Sequence, residues 1–439
     1  MGKKFISFSF CLAFILIFCS LGRSQMDASK KIDDLYSQIE IFSYALTTIQ
    51  SEYVDEKKPQ DLIYGSLTGM LSALDPHSQF LTPDDYKELK TETQGKFGGL
   101  GIEISIKDGL LTIISPIEDT PAWRAGLMAG DIIVKIEKEI TKNMSLSDAV
   151  KRLRGEPETP ITITVLREKE FKFQDYTIVR EVIQIQDIKD TQILEDKIGY
   201  IRLTEFREDT HKDFLKAIES LRGQEANALI LDLRNNPGGL LNVAIDITDE
   251  FLPPGEMIVS TKGRRPSQNI ESKSTNKGRS IDWPVVVLIN EGSASGSEIL
   301  AGALKDNKRA IILGEQSFGK GSVQSVIPLP DGSGLRLTTS KYFTPSGVSI
   351  HGTGITPDVV VTRIYEKPQE TEKIIKEKEQ EINKIFDGVE INESKEPEKW
   401  QEEKKKKDAR QILLDDNQIQ AAISIIKGIR VYKNFGQTG

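Results

Sequence analysis

Residues 284–306 read PVVVLINEGSASGSEILAGALKD. An unbroken apolar run of strand length gives way to small residues and then to apolar positions at helical spacing. The stretch therefore predicts a buried strand, a tight turn and a helix. The pattern repeats on both sides: strands in GYIRLTEF (199–206), ALILDLR (228–234) and AIILG (310–314) alternate with helices expected near 210–222, 240–251 and 296–306. That alternation is the signature of an α/β domain, which we bound at residues 181–365. Upstream, residues 95–180 change texture to short alternating runs such as GIEISI and ITITVLRE, split by Gly and Pro, with one helix expected near Leu146–Arg154. They predict a compact, mostly strand module. In residues 26–94, Leu35, Ile39, Phe42, Tyr44, Ile49, Leu62, Leu67, Met70 and Leu71 recur at helical intervals, broken at Pro59 and at Asp75-Pro76. Residues 366–439 open with a Lys/Glu-dense stretch ending EEKKKKDAR, for which a solvated helix or disorder is expected. They close with QILLDDNQIQAAISIIKGI, amphipathic enough to return onto the core or onto another subunit. The fold class is thus multidomain α/β with helical segments at both ends.

Composition narrows the chemistry. The 439 residues suffice for two to four domains at about 100–200 residues each. Residues 1–25 place Lys3 and Lys4 before an apolar run and small residues, the order of a secretory signal; an uncleaved membrane anchor is the alternative. Phe18 before Cys19 disfavours lipoprotein processing. Either way the body is expected to be exported, periplasmic if cleaved and membrane-anchored if not. Cys11 and Cys19 are the only cysteines, so the remaining chain offers no disulfide, thiolate zinc site or cysteine nucleophile. Three histidines and no H-E-x-x-H motif argue against a metal cofactor. The net charge is −8 and becomes −11 without Lys3, Lys4 and Arg23, which makes nucleic acid an unfavourable partner.

A strand running into a helix start places serine where unpaired N–H groups can hold a developing anion. One of Ser293, Ser295 and Ser297 is a candidate nucleophile; otherwise they cap the helix. Ser293 stands where a G-x-S-x-G elbow needs glycine, so that hydrolase family is not indicated. His77 and His211 lie far upstream, leaving His351 and Lys320 as candidate bases. On a strand, positions 320, 322 and 324 face one way, which would set the amide of Gln324 alongside the amine of Lys320. A lysine base must be neutral, and lowering an amine from ~10.4 to ~7–8 takes about 3–5 kcal/mol of bias against the ammonium. Glutamine permits this where a carboxylate would hold the charge. GEQSFGKG also reads G-x-x-x-x-G-K, but Gly321 replaces the metal-holding Ser/Thr and a strand follows where a phosphate loop needs a helix. In ALILDLRNNPGGLLNVA, Gly238 and Gly239 can turn backbone N–H groups outward as oxyanion donors. KFGGLGIEI (96–104) offers bare N–H groups at Gly99–Ile102 that can cradle a carboxylate, beside a strand edge that can pair with a peptide. An ordinary glycine hairpin would look the same.

In order, LTGMLSALDPHSQFLTPDDYKEL, GGLGIEI, DTPAWRAGLMAGDIIVKIE, LILDLRNNPGG, SASGSEILAGALKD and GEQSFGKGSVQ resemble the carboxyl-terminal processing peptidase family, over about residues 40–365. The resemblance implies a PDZ domain at 95–180 inserted before a serine protease core at 181–365, acting without cofactors on unfolded or tailed proteins. It implies Ser295 as nucleophile, Lys320 as general base and Gln324 as the residue orienting the lysine. It also implies oxyanion donors at Gly296 and the Gly238–Gly239 turn, with Gly99, Leu100, Gly101 and Ile102 receiving the substrate's C-terminus. Arg154 is similar to an arginine that in some members couples ligand binding to activation. The family usually carries alanine where this chain has Gly296. A homodimer through the terminal helices and an activating adaptor are further expectations. The rivals are an inactive PDZ scaffold on the same fold and a Ser295–His351 esterase.

Overall fold

The structure is a computed structural model that describes residues 33–107, 109–117, 119–142, 144–167, 172–275, 281–364 and 409–435. Residues 1–25, with their secretory-signal reading, and the charged stretch up to 408 lie outside the described residues. The described residues fall into two units, one within 1–82 and 327–337, the other within 83–326 and 338–439. In the first, helices span 33–52 and Pro59–Ser72, the latter opened by a proline whose missing N–H suits a first helical position. Asp75 then closes a turn by accepting the N–H groups of His77 (2.8 Å) and Ser78 (2.9 Å). Gln79–Leu81 follows as a strand, antiparallel to residues 334–336.

The second unit opens with the helix Pro83–Gln94 and continues into the strand-rich module. There Ile102–Lys107, Leu110–Pro116, Ile132–Ile136, Pro160–Arg167 and Lys172–Val179 form one antiparallel sheet in that order. Alternation puts Ile113, Ile133, Ile161 and Ile163 on the inner face, where they pack with Leu100, Ala149 and Leu153. Helix Leu146–Leu153 is capped by Ser145, whose Oγ accepts the Asp148 N–H at 3.1 Å. Ile102–Lys107 stands at the edge of the sheet.

The α/β core holds a six-stranded sheet in the order Ile188–Ile193, Ile198–Leu203, Ala228–Asp232, Val285–Ile289, Ile311–Gly314, Val359–Val360; the first pair is antiparallel and the rest parallel. Ala228–Asp232 and Val285–Ile289 are buried at every position, because a central parallel strand is covered on both faces. Helices Thr210–Gly223, Leu241–Asp249 and Gly296–Asp306 cover one face around Phe206, Phe214, Phe251 and Leu300. The C-terminal segment covers the other: helix Asn417–Phe435 sets Ile419, Ala422, Ile423 and Ile426 on Tyr200, Ile230, Val286 and Leu288. Of the two placements the sequence allowed for this segment, packing on the core is the one observed.

Candidate active site

Three loops leave the carboxyl ends of three neighbouring parallel strands, where open α/β sheets present their ligand crevice. Residues 233–240 follow Ala228–Asp232, residues 290–295 follow Val285–Ile289, and residues 315–321 follow Ile311–Gly314.

The three serines differ. Ser293 is fully buried; its Oγ donates to the Leu233 carbonyl at 2.8 Å and accepts the Asn290 N–H at 3.0 Å. Ser297 is equally buried and donates to the Asn236 carbonyl at 2.9 Å. Ser295 is half-buried at the N-cap of helix Gly296–Asp306, with φ 54° and ψ −111°. A residue with a Cβ holds such a backbone at a cost of about 1–3 kcal/mol, and only where its surroundings fix it.

Those surroundings start with Gly238, at φ 102°. A methyl group there would lie 2.7 Å from Ser295 Cβ, from Gly296 N and from the Ala294 carbonyl, so only glycine permits the turn to press against the serine. The Gly238 N–H itself donates to Asn236 Oδ1 at 2.8 Å. This corrects the expectation that both glycines present N–H groups: the asparagine side chain closes a local turn and consumes one of them. The N–H groups of Gly239 and Gly296 have no hydrogen-bond partner among the described residues.

Lys320 is half-buried in loop 315–321. Its N–H donates to Glu298 Oε2 at 2.9 Å, and its carbonyl accepts the Tyr342 hydroxyl. The strand begins only at Ser322, so positions 320, 322 and 324 do not share a strand as expected. Before it, Glu298 accepts the N–H groups of Gly319 and Lys320, and the strand Gly334–Phe343 reaches only Gly321, whose carbonyl accepts the Tyr342 N–H at 3.0 Å. Gln324 lies within that strand, its amide nitrogen donating to Ser322 Oγ at 2.9 Å and Thr338 Oγ1 at 3.4 Å.

Glu298 escaped the sequence reading. It is 1% exposed and accepts four hydrogen bonds: Oε1 takes Ser317 Oγ (2.6 Å) and Gly319 N–H (2.7 Å), while Oε2 takes Ser295 N–H (2.9 Å) and Lys320 N–H (2.9 Å). One carboxylate thus joins the main chains of Ser295 and Lys320. Ser295-x-x-Glu298 is the spacing of a capping box, which flags the bond to the Ser295 N–H; the other three are tertiary. Tyr342 was also missed. It is 2% exposed, and burial pushes its hydroxyl pKa up, against a hydrogen-bonding pull from the Ser295 side chain. Of the histidines in this unit, His211 pairs with Glu250 at 2.9 Å and His351 is exposed.

In the strand-rich module, Gly99 ends a short strand paired with Glu181–Gln184. Leu100 packs into the module core, and its carbonyl accepts the Ala122 N–H at 2.9 Å. Gly101 (φ 79°) accepts from Ile117 N–H at 2.9 Å and Thr120 Oγ1 at 3.1 Å, and Ile102 begins the edge strand. The N–H groups of Leu100 and Gly101 have no hydrogen-bond partner among the described residues. Arg154 follows helix Leu146–Leu153; its guanidinium stacks 4.4 Å over Phe97, lies 3.6 Å from Glu88, and leaves a buried Nε with no hydrogen-bond partner among the described residues. Among the described residues no cluster of His, Cys, Asp or Glu is arranged to hold a metal ion, and no helix is long and apolar enough to cross a membrane.

Residues 197–361 match peptidase family S41, and residues 112–167 match a PDZ domain. The chain is 45% identical over 330 residues to the carboxy-terminal-processing protease of Bartonella bacilliformis, covering 74% of this chain and 75% of that one. It is 39% identical over 322 residues to the carboxyl-terminal-processing protease of Synechocystis sp., covering 71% and 74%. Among solved structures, it is similar to the photosystem II D1 C-terminal processing protease, at 33% identity and a TM-score of 0.44 over 73% of this chain and 86% of that one. With its α/β core and strand-rich PDZ module, the chain belongs to peptidase family S41, as a serine-type carboxyl-terminal-processing protease.

Proposed function

We propose that this protein is an exported endopeptidase that grips the C-terminus of an unstructured polypeptide in its PDZ domain and cleaves the chain with a Ser295–Lys320 dyad. Ser295 Oγ attacks the scissile carbonyl carbon and passes its proton to the neutral Lys320 amine, and the carbonyl oxygen takes up the negative charge. The N–H groups of Gly239 and Gly296 receive that oxyanion. The C–N bond then breaks as the Lys320 ammonium protonates the leaving amine, leaving an ester on Ser295. Water adds to the ester, Lys320 takes its proton, and the acid is released with the serine hydroxyl restored. Gln324 orients the lysine as a neutral neighbour. In the PDZ domain, the N–H groups of Leu100 and Gly101 receive the substrate carboxylate, its chain adds to the free edge of Ile102–Lys107, and Arg154 couples that event to the core. Two copies pair through the 33–52 helix, whose Leu35, Tyr36, Ile39 and Phe42 are exposed, and an adaptor delivers substrates.

One observation carries the reading: Ser293 and Ser297 are sealed in hydrogen bonds, whereas the strained, accessible Ser295 is tied through Glu298 to the loop of Lys320. Cleavage of an unfolded protein such as casein by residues 26–439 tests it. Ser295→Ala and Lys320→Ala should each abolish cleavage while leaving the fold intact. Full activity in either removes the dyad, and absence of cleavage by the unmutated chain favours the scaffold reading.

A further inference from the structure

A second buried cluster lies behind the oxyanion turn. Arg234, 6% exposed, directs Nε to both oxygens of Asp232 (2.9 and 3.1 Å) and Nη2 to Asp232 Oδ2 (2.6 Å). Its Nη1 reaches the C-terminal segment, to Asp416 Oδ2 at 2.8 Å and Gln418 Oε1 at 2.7 Å. Tyr200 donates to Asp232 Oδ2 at 2.8 Å, and Gln418, wholly buried, donates from Nε2 to the Val361 carbonyl at 2.6 Å. Asp416 precedes helix Asn417–Phe435 and accepts the N–H of Gln418 at 2.9 Å, as a helix cap does. Both residues lie beyond residue 361, where the family S41 match ends.

Arg234 stands one residue before the turn that carries Gly239. Asn235 N–H donates to Asn290 Oδ1 at 2.8 Å, and Asn290 Nδ2 returns to Asn235 Oδ1 at 2.9 Å. The Asn236 carbonyl accepts Ala294 N–H at 3.0 Å and Ser297 Oγ at 2.9 Å, one residue before and two after Ser295. A buried guanidinium with one carboxylate withdrawn is under-compensated and must move or take in water. Arg234 is joined to this turn through the main chain at Asn235, and these bonds hold the turn against residues 290–297.

We infer that Asp416 and Gln418 are positioning residues of the active site: the C-terminal helix latches Arg234 and thereby holds the Asn235–Gly239 turn in register with Ser295. The inference rests on the proposed oxyanion role of Gly239. A shift near 1 Å in a reacting geometry costs roughly a hundredfold in rate. Asp416→Asn and Gln418→Ala in the full chain should therefore lower kcat about ten- to a hundredfold, with KM for a carboxylate-ended peptide within about twofold. Ile423→Ala is the control, since it weakens the same helix through apolar packing alone. At equal thermal stability it should leave kcat within about twofold. Hydrogen exchange of residues 233–240 gives a readout independent of catalysis and should rise in Asp416→Asn but not in Ile423→Ala. A failed dyad would show as activity surviving in Ser295→Ala, and exchange would still judge the latch. Unchanged exchange in Asp416→Asn, an unchanged kcat in both latch variants, or an equal kcat loss in Ile423→Ala would overturn the inference.

Discussion

Replacing Glu298 by glutamine tests whether one buried carboxylate holds the site together. All four groups that bond it are donors: Ser317 Oγ, Gly319 N–H, Ser295 N–H and Lys320 N–H. A carboxylate only accepts, whereas an amide turns one end into a donor. With NH2 at Oε1, Gly319 N–H faces a donor; with NH2 at Oε2, both Ser295 and Lys320 lose their acceptor. Hydrogen bonds to a charged group contribute about 1.5–3 kcal/mol each, and a buried unsatisfied donor costs about 1–3 kcal/mol. Even the milder orientation therefore destabilises the assembled site by about 3 kcal/mol, and at 1.36 kcal/mol per decade this corresponds to about a hundredfold. The assay is kcat and kcat/KM on an internally quenched peptide with a free C-terminus, with thermal melting alongside. We expect kcat to fall about a hundredfold while KM changes little, because the PDZ loop is untouched. A folded Glu298→Gln variant whose kcat stays within about threefold of the unmutated enzyme would show that this carboxylate does not hold the site together.

Ser293→Ala removes two buried hydrogen bonds and Ser297→Ala one, and each should lower stability by about 1–3 kcal/mol while the folded protein still cleaves, as melting and activity measured together will show. On the proposed role of Gln324, Gln324→Glu adds a negative charge that favours the Lys320 ammonium, so the neutral base appears only at higher pH and the rising limb of the pH–rate profile should move alkaline. Gly101→Ala would set a methyl 2.2 Å from Thr120 Cβ on a φ 79° backbone, so peptide binding by titration calorimetry should be lost. Amidating the peptide's C-terminus should have the same effect on the unmutated protein. Gly296→Ala brings its methyl 3.1 Å from Phe206 Cδ2 and 3.3 Å from Ala244 Cβ, contacts that a small shift relieves, so activity should stay within a few-fold.

The strands and helices of the core were legible because apolar runs and helical spacing report burial directly. The serine–turn–helix at 293–297 stood out as a site, yet the choice among its three hydroxyls rests on what each touches. Ser293 is spent on Leu233, sixty positions away. Glu298 wore the mark of a local cap, and nothing in its neighbourhood announces Gly319 or Lys320. Gly238 seemed a donor until Asn236, two residues back, took its N–H. The strand assignment of Lys320 failed because periodicity cannot tell a loop bound by a carboxylate from a strand bound by its neighbour. Arg234 finds partners 182 and 184 positions further on, a pairing that only the closed fold brings about.

The central claim is that the Ser295 hydroxyl becomes acylated with Lys320 as its base. Rapid acid quench during turnover of a peptide substrate, followed by peptide mapping, measures this directly. We expect a transient substrate-derived ester confined to Ser295, absent in Ser295→Ala and strongly reduced in Lys320→Ala. An adduct on any other residue, or undiminished turnover by the Ser295→Ala protein, would contradict it.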